Sequence, residues 1–333
     1  MSDLLVKIGN YFSDVLDNEG LESDKLKGLN GPYKQAETNL RTLCHLVCLF
    51  CYLSQNQPEY KSRVTKLVGY LVTKYRSGEK LLFRNDPNTD STNGVMGPAW
   101  FLEALHFCDR YGIDFDRQII NNIIENHSWN TTCQGFLINV EDQDKFGRKI
   151  DKTFNHKLWF ISMVAQFDIM SPSKINEILE GLMKFQSFPD TIIYHKSSIE
   201  TPARNLKSFA RKMKYYPKSV SYHPFNQVAA RYLLASGKLN QNNRDILERV
   251  LNIRFSIGHL VSMTFNKYGV RYNPVGYEIP NLLANKKIKR FLLVVQNFLI
   301  GRALNSIMRT DGVNYIDLRL ISRIYERSYD DFM

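Results

Sequence analysis

The stretch Phe154-Asn155-His156-Lys157-Leu158-Trp159 packs an amide, an imidazole and an indole close together. An amide can hold a carboxylate, and an indole can stack on a sugar face. An imidazole can take or give a proton near neutral pH. On a helix Asn155 and Trp159 share one face, with His156 about one-third of a turn away. The same residues also suit a capped helix with a buried Trp.

Carboxylates supply the other half of sugar chemistry, and glycoside hydrolysis commonly uses two, about 5–10 Å apart. Glu278 lies in Asn273-Pro274-Val275-Gly276-Tyr277-Glu278-Ile279-Pro280, a segment stiffened by two prolines. An apolar setting there would raise its pKa and make it a general acid. An ion pair with Arg271 or Arg254 is the alternative. Asp151, four residues ahead of Asn155, is the first choice for the second carboxylate, before Asp86 and Glu103; an ordinary helix cap is its other reading. Tyr222-His223-Pro224-Phe225-Asn226-Gln227 opens another apolar helix, so His223, Asn226 and Gln227 are expected to line a cavity. Trp100 and Trp159 are sugar platforms or core, and Tyr272 and Asn273 join the binding set.

Helices must position these groups. Apolar residues at helical spacing predict helices over 1–18, 36–54, 59–76, 98–111, 116–126 and 155–170. Further helices are expected over 173–186, 222–234, 241–252, 253–267, 286–309 and 315–327. Pro98 fits a first turn, and Ser171-Pro172 reads as a cap. Segments 128–153 and 187–221 read as irregular, the first with a short hairpin at Gly135 turning near Gly147. Buried helices begin near 38, 98, 155, 224, 254 and 288, several after loops rich in Gly, Pro, Asn and aromatics. That rough repeat predicts an all-α fold, an (α/α)6 toroid of helical hairpins, with an open solenoid as the competing arrangement. Residues 1–35 form an N-terminal helix and loop packing on a main domain, 36–333.

Composition is that of a globular protein, 44% hydrophobic and 23% charged, which excludes disordered and collagen-like classes. A net charge of +11 suits an anionic partner or a basic solubilising surface. An acidic glycan is preferred to nucleic acid, with the Lys- and Arg-rich stretch 196–218 as a solvated loop or a lid beside the glycan. Cys44, Cys48 and Cys51 fall on one apolar helical stripe and read as buried thiols in a reducing compartment. No Gly-rich phosphate loop or His-Glu-x-x-His helix is present, and the Cys48–Cys51 pair lacks partner ligands, so neither metal nor cofactor is expected. The first eighteen residues lack the pattern of a signal peptide, and no window holds 18 consecutive apolar residues. A cytoplasmic protein without a membrane span is therefore expected. Oligomeric state leaves no signal in the sequence.

The run Gly97-Pro98-Ala99-Trp100-Phe101-Leu102-Glu103-Ala104, the Asn155-His156 helix start and the stretch from Tyr268-Gly269 to Pro280 resemble the six-hairpin glycosidase superfamily. Within it, the chain is most similar to the glucuronyl-hydrolase-like proteins of surface-polysaccharide gene clusters. The likeness spans about residues 95 to 280. It implies that Trp100, Asn155, His156, Trp159, His223, Asn226, Gln227, Tyr272, Asn273 and Glu278 face one central pocket. It also implies a glycoside hydrolase acting on an acidic, uronate-containing glycan, for which Asp151 and Glu278, chosen above from their sequence settings, are the acid/base candidates. Asn155-His156 stands where that family's catalytic Asp would be convenient. A second likeness, to (α/α) alginate lyases, accounts for that pair. It implies Asn155 on a uronate carboxylate, His156 taking the C5 proton, and Tyr222 or Tyr272 protonating the leaving oxygen, in a lyase or epimerase. A noncatalytic helical scaffold for an anionic partner is the third reading.

Overall fold

A computed structural model describes residues 3–30, 35–76, 83–84, 90–138, 150–183, 192–193, 214–309 and 315–328. The protein is mostly helical, 68% helix against 5% strand, and so belongs to the all-α class. In chain order the helices are α1 (Asp3–Asn18), α2 (Leu40–Leu53), α3 (Glu59–Arg76), α4 (Met96–Arg110) and α5 (Gln118–Asn126). There follow α6 (Phe154–Val164), α7 (Pro172–Leu182), α8 (Tyr216–Ala235), α9 (Gln241–Leu251) and α10 (Ile257–Phe265). A single turn α11 (Val275–Glu278), the long α12 (Lys286–Arg309) and α13 (Tyr315–Ser322) complete the set. The strands are two short antiparallel pairs. β1 (Leu29–Asn30) pairs with β2 (Gln35–Ala36), and β3 (Trp129–Asn130) with β4 (Gly135–Phe136).

The helices group into two compact units. Residues Met1–Glu125 and Asn297–Ser328 make the first, and Asn126–Gln296 the second. In the first, α2 is the central element. It is apolar on nearly every face, all its residues but Tyr52 are buried, and it packs against α1, α3, α4 and α13. Cys44, Cys48 and Cys51 lie in that packing, where burial pushes their thiols up and leaves them inert. Gly28 allows a close approach: a Cβ there would fall 2.3–2.5 Å from the Arg319 guanidinium.

In the second unit α6 and α8 form the main packed pair, flanked by α7, α9, α10 and α11. The Ser171 hydroxyl caps α7 by accepting from the Lys174 N–H, as its position predicts. Helix α6 ends at Val164, earlier than its apolar run suggests. Helix α8 corrects the expectation more substantially. It starts at Tyr216 with Pro217 in its first turn, so Pro224 is an interior proline and His223 sits mid-helix. Proline suits both positions by its φ, but inside a helix it removes one hydrogen bond and crowds the preceding turn. The expected hairpin at Gly135 pairs backward to β3, while Leu137 bridges Ile150. Gly147 lies outside the described residues, as do Asp86 and residues 196–213 of the basic stretch.

Helix α10 is the plainest departure. Its apolar sequence predicts a buried helix, yet only His259 and Met263 are buried. Ile257, Val261 and Phe265 are exposed. Composition does not say whether an apolar face meets protein or something else. With the turn before it, α12 spans Leu283–Arg309, 27 residues with a window of mean hydropathy 1.4, long and apolar enough to cross a membrane. Only 33% of that window is buried.

Gly269 is required by close packing, since a Cβ would lie 1.8 Å from the Met263 carbonyl oxygen that accepts from the Val270 N–H. Gly269→Ala is expected to cost about 1–3 kcal/mol, read as a lower denaturation midpoint. An unchanged midpoint would mean that the backbone moves aside freely.

Candidate active site

Helix α6 begins where Asp151 turns the chain. The Asp151 carboxylate accepts the Thr153 N–H on one oxygen at 2.8 Å, and its other oxygen lies 2.9 Å from Nδ1 of His156. Asp151 is buried, whereas the His156 side chain keeps 18% of its surface. A carboxylate can only accept, so Nδ1 carries the hydrogen and Nε2 is the basic nitrogen. Asp151 is therefore not an isolated acid, since both its oxygens are engaged. It orients an imidazole, as the third group of a nucleophile–base relay does.

The same turn holds a residue whose role the sequence pattern does not suggest. Lys157 is buried, and its ammonium donates to the Gln134 carbonyl at 3.2 Å. Burial lowers its pKa to about 8, partly opposed by the Asp151 charge. Its position at the head of the apolar run Leu158-Trp159-Phe160-Ile161 is the available signal. Because the folded pKa lies below the unfolded 10.5, the charged lysine costs stability. That cost is fully present below about pH 8 and vanishes as pH rises through 10.5. Lys157→Met should therefore raise stability at neutral pH by up to about 3 kcal/mol. Chemical denaturation of both proteins at pH 7 and pH 10 should show that gap closing, and a constant gap would refute the assignment.

One turn on, Trp159 stacks on Phe225 of α8, with centroids 4.1 Å apart and planes 11° from parallel, and meets Tyr232 edge-on. That stacking places the indole in core. Polar atoms buried on α6 and α8 with no hydrogen-bond partner among the described residues include Asn155 Oδ1, Trp159 Nε1, Asn226 Oδ1 and Gln227 Oε1. Such orphans are uncommon in finished cores and mark places where a ligand or water completes the bonding.

The remaining expected residues divide. Gln227 is buried and donates its amide to the Val250 and Leu251 carbonyls, closing the C-terminal end of α9. Asn273 donates to the Tyr268 carbonyl at 2.7 Å and fastens a turn. His223 is fully buried, edge-on to Phe255. Tyr272 is buried, and Glu278 is fully buried in α11, its backbone carbonyl accepting from Arg231. All these lie in the second unit. Trp100 lies in the first, with Arg41 4.1 Å over its ring and with His45 and Phe83 against its edges. Thus Asp151, His156, Asn155 and Trp159 share one helix start, and Trp159 reaches the α8 face that carries Phe225 and Tyr232. Two clefts, one beside Asp17 and Arg63 and one beside Lys286 and Phe291, include none of the expected residues.

A second buried polar group, in the first unit, was not foreseen. Glu37 pairs with Arg41 at 3.0 Å and with Arg319 at 2.6 Å, and all three are buried. Arg319 also donates to Thr42, and Tyr325 donates to Glu103. His45 sits beside them, bonded through Nδ1 to Ser322, and burial followed by the charges of Arg41, Arg323 and Arg319 keeps it neutral. Among the described residues no group of three or more His, Cys, Asp or Glu is arranged to hold a metal.

No protein-family model matches the chain, and no solved structure matches it. One curated protein is distantly similar: archaeal glycosylation protein Q of Haloferax volcanii. It is 25% identical over 288 residues, covering 76% of this chain and 76% of that protein.

Proposed function

We propose that this chain has a glycan-related role and acts on an acidic, uronate-containing glycan or sugar by proton abstraction at His156. The observation that carries the reading is the Asp151–His156 hydrogen bond, which leaves Nε2 as the basic nitrogen. A hydrogen α to a uronate carboxylate becomes removable by such a base once the carboxylate's charge is neutralised. Asn155 would hold that carboxylate and lower the charge that builds up as the proton leaves. A lyase then expels the 4-oxygen while a C4–C5 double bond forms, with Tyr222 or Tyr272 as proton donor. An epimerase returns the proton to the other face. The distant relative named for glycosylation supports a glycan substrate. The six-hairpin ring as scaffold and a cytoplasmic location belong to the same proposal.

Hydrolysis by Asp151 and Glu278 is the second reading, favoured by one observation: both carboxylates are buried in the same unit. Incubation with uronate-containing oligosaccharides separates the chemistries. Elimination releases a product absorbing in the near ultraviolet. Epimerisation exchanges solvent deuterium into C5 without cleavage. Hydrolysis creates reducing ends with neither mark. Absence of all three across acidic glycans would sink the enzymatic reading in favour of a binding scaffold.

A further inference from the structure

We infer that the second unit carries a docking surface for an anionic lipid bilayer, formed by the exposed faces of α10 and the first turns of α12. On α10, Ile257, Val261 and Phe265 are 79%, 50% and 80% exposed. Their spacing of four makes one stripe, opposite the buried His259 and Met263. Leu283, 88% exposed, lies just ahead of α12, and Phe291 and Val294 continue its open apolar side. These three and Lys286, Lys287 and Arg290 line a shallow cleft of about 550 Å³. Asn285 ties the two helix starts together. It donates to the Ile253 carbonyl at 2.9 Å and accepts the Phe255 N–H at 3.0 Å.

Side chains of this size rarely stand clustered in water without a partner. Charge decides which partner. Between Leu251 and Gln296 the chain has seven Lys or Arg and a single acid, Glu278. That acid is fully buried. Lys289 is buried as well, and the cations shown beside the apolar side chains of α12 are Lys286, Lys287 and Arg290, with no acid in that cleft. A second copy would bring a like-charged rim against it. An anionic bilayer satisfies both parts, with cations among the headgroups and aromatic and aliphatic groups at the acyl boundary. The proposal is attachment in the plane of the interface, since a third of the apolar window in Leu283–Arg309 is already buried in protein.

The test is co-sedimentation of the full chain with phosphatidylcholine vesicles, with and without phosphatidylglycerol, at low and high salt. Binding is expected only with phosphatidylglycerol, weakening as salt rises. K286Q/K287Q/R290Q should lower the partition coefficient about a hundredfold. F265S/V294S should lower it as well, while retaining salt sensitivity. All five positions are at the surface, so thermal melts of the variants should match the parent and exclude misfolding. Three outcomes overturn the proposal. One is no binding to anionic vesicles at low salt. Another is lipid binding unchanged in both variants, which places the lipid elsewhere. The third is a concentration-dependent dimer, seen by sedimentation equilibrium and abolished by F265S/V294S, which gives the face to a second copy.

Discussion

Replacing His156 with alanine is expected to lower turnover of a uronate-containing substrate by about a hundred- to ten-thousandfold, with a much smaller change in KM. The loss should fall on kcat if, as proposed, the imidazole acts as the proton moves and Asn155 holds the sugar. Asp151→Asn is the sharper variant. The Thr153 N–H holds one side-chain oxygen of Asp151. An asparagine amide would keep its oxygen there and turn its NH2 toward Nδ1 of His156. The imidazole would then carry its hydrogen on Nε2 and could no longer accept a proton at that atom. Near-normal folding with turnover reduced almost as far as in His156→Ala is the expected result. Full activity in His156→Ala, with loss in both Asp151→Asn and Glu278→Gln, would move the chemistry to the carboxylates.

The second large effect concerns stability. Glu37→Ala should cost about 3–5 kcal/mol, because Arg41 and Arg319 would remain buried without their shared counter-ion. Burial acts to raise the Glu37 pKa, but Arg319 and then Arg41 outweigh it and hold the group below its ordinary value. A carboxyl lowered by folding contributes stability that is complete above the unfolded pKa, near 4.5, and is lost as pH falls through the folded value. Urea denaturation from pH 7 downward should show the parent losing stability in that acid range more steeply than Glu37→Gln. Parallel curves would mean that the pair contributes nothing through its charge.

Much of the helical framework was legible. Helix α3 and helix α12 fall where apolar spacing and flanking loops put them, because long periodic segments carry their own boundaries. The site was legible in type more than in arrangement. Asn155, His156 and Trp159 stand at one helix start, as spacing on a helix requires. Asp151 was picked for its carboxylate, but its engagement with His156 depends on how the chain turns at Thr153. Pro224 misled because proline suits a first turn and can also persist inside a helix. Helix α10 misled because apolar composition reports that a face avoids water, not what covers it. In the Glu37–Arg41–Arg319 group, the spacing of four between Glu37 and Arg41 is a local signal, but Arg319 has none. Arg319 and Thr42 meet across 277 residues of sequence.

That separation has a consequence for how the protein is made. Helix α2 packs first against α1, α3 and α4, and its burial is completed when α13 brings Arg319 beside Gly28, Glu37 and Thr42. During synthesis the ribosome delivers α2 long before α13, with the whole second unit translated between them. The second unit can therefore complete its packing while the first still waits with one side of an apolar helix uncovered and Glu37 without Arg319. Newly made chains should depend on chaperones until their last helix emerges. A nonsense mutation ahead of Tyr315 should leave the first unit soft to proteases while the second resists them.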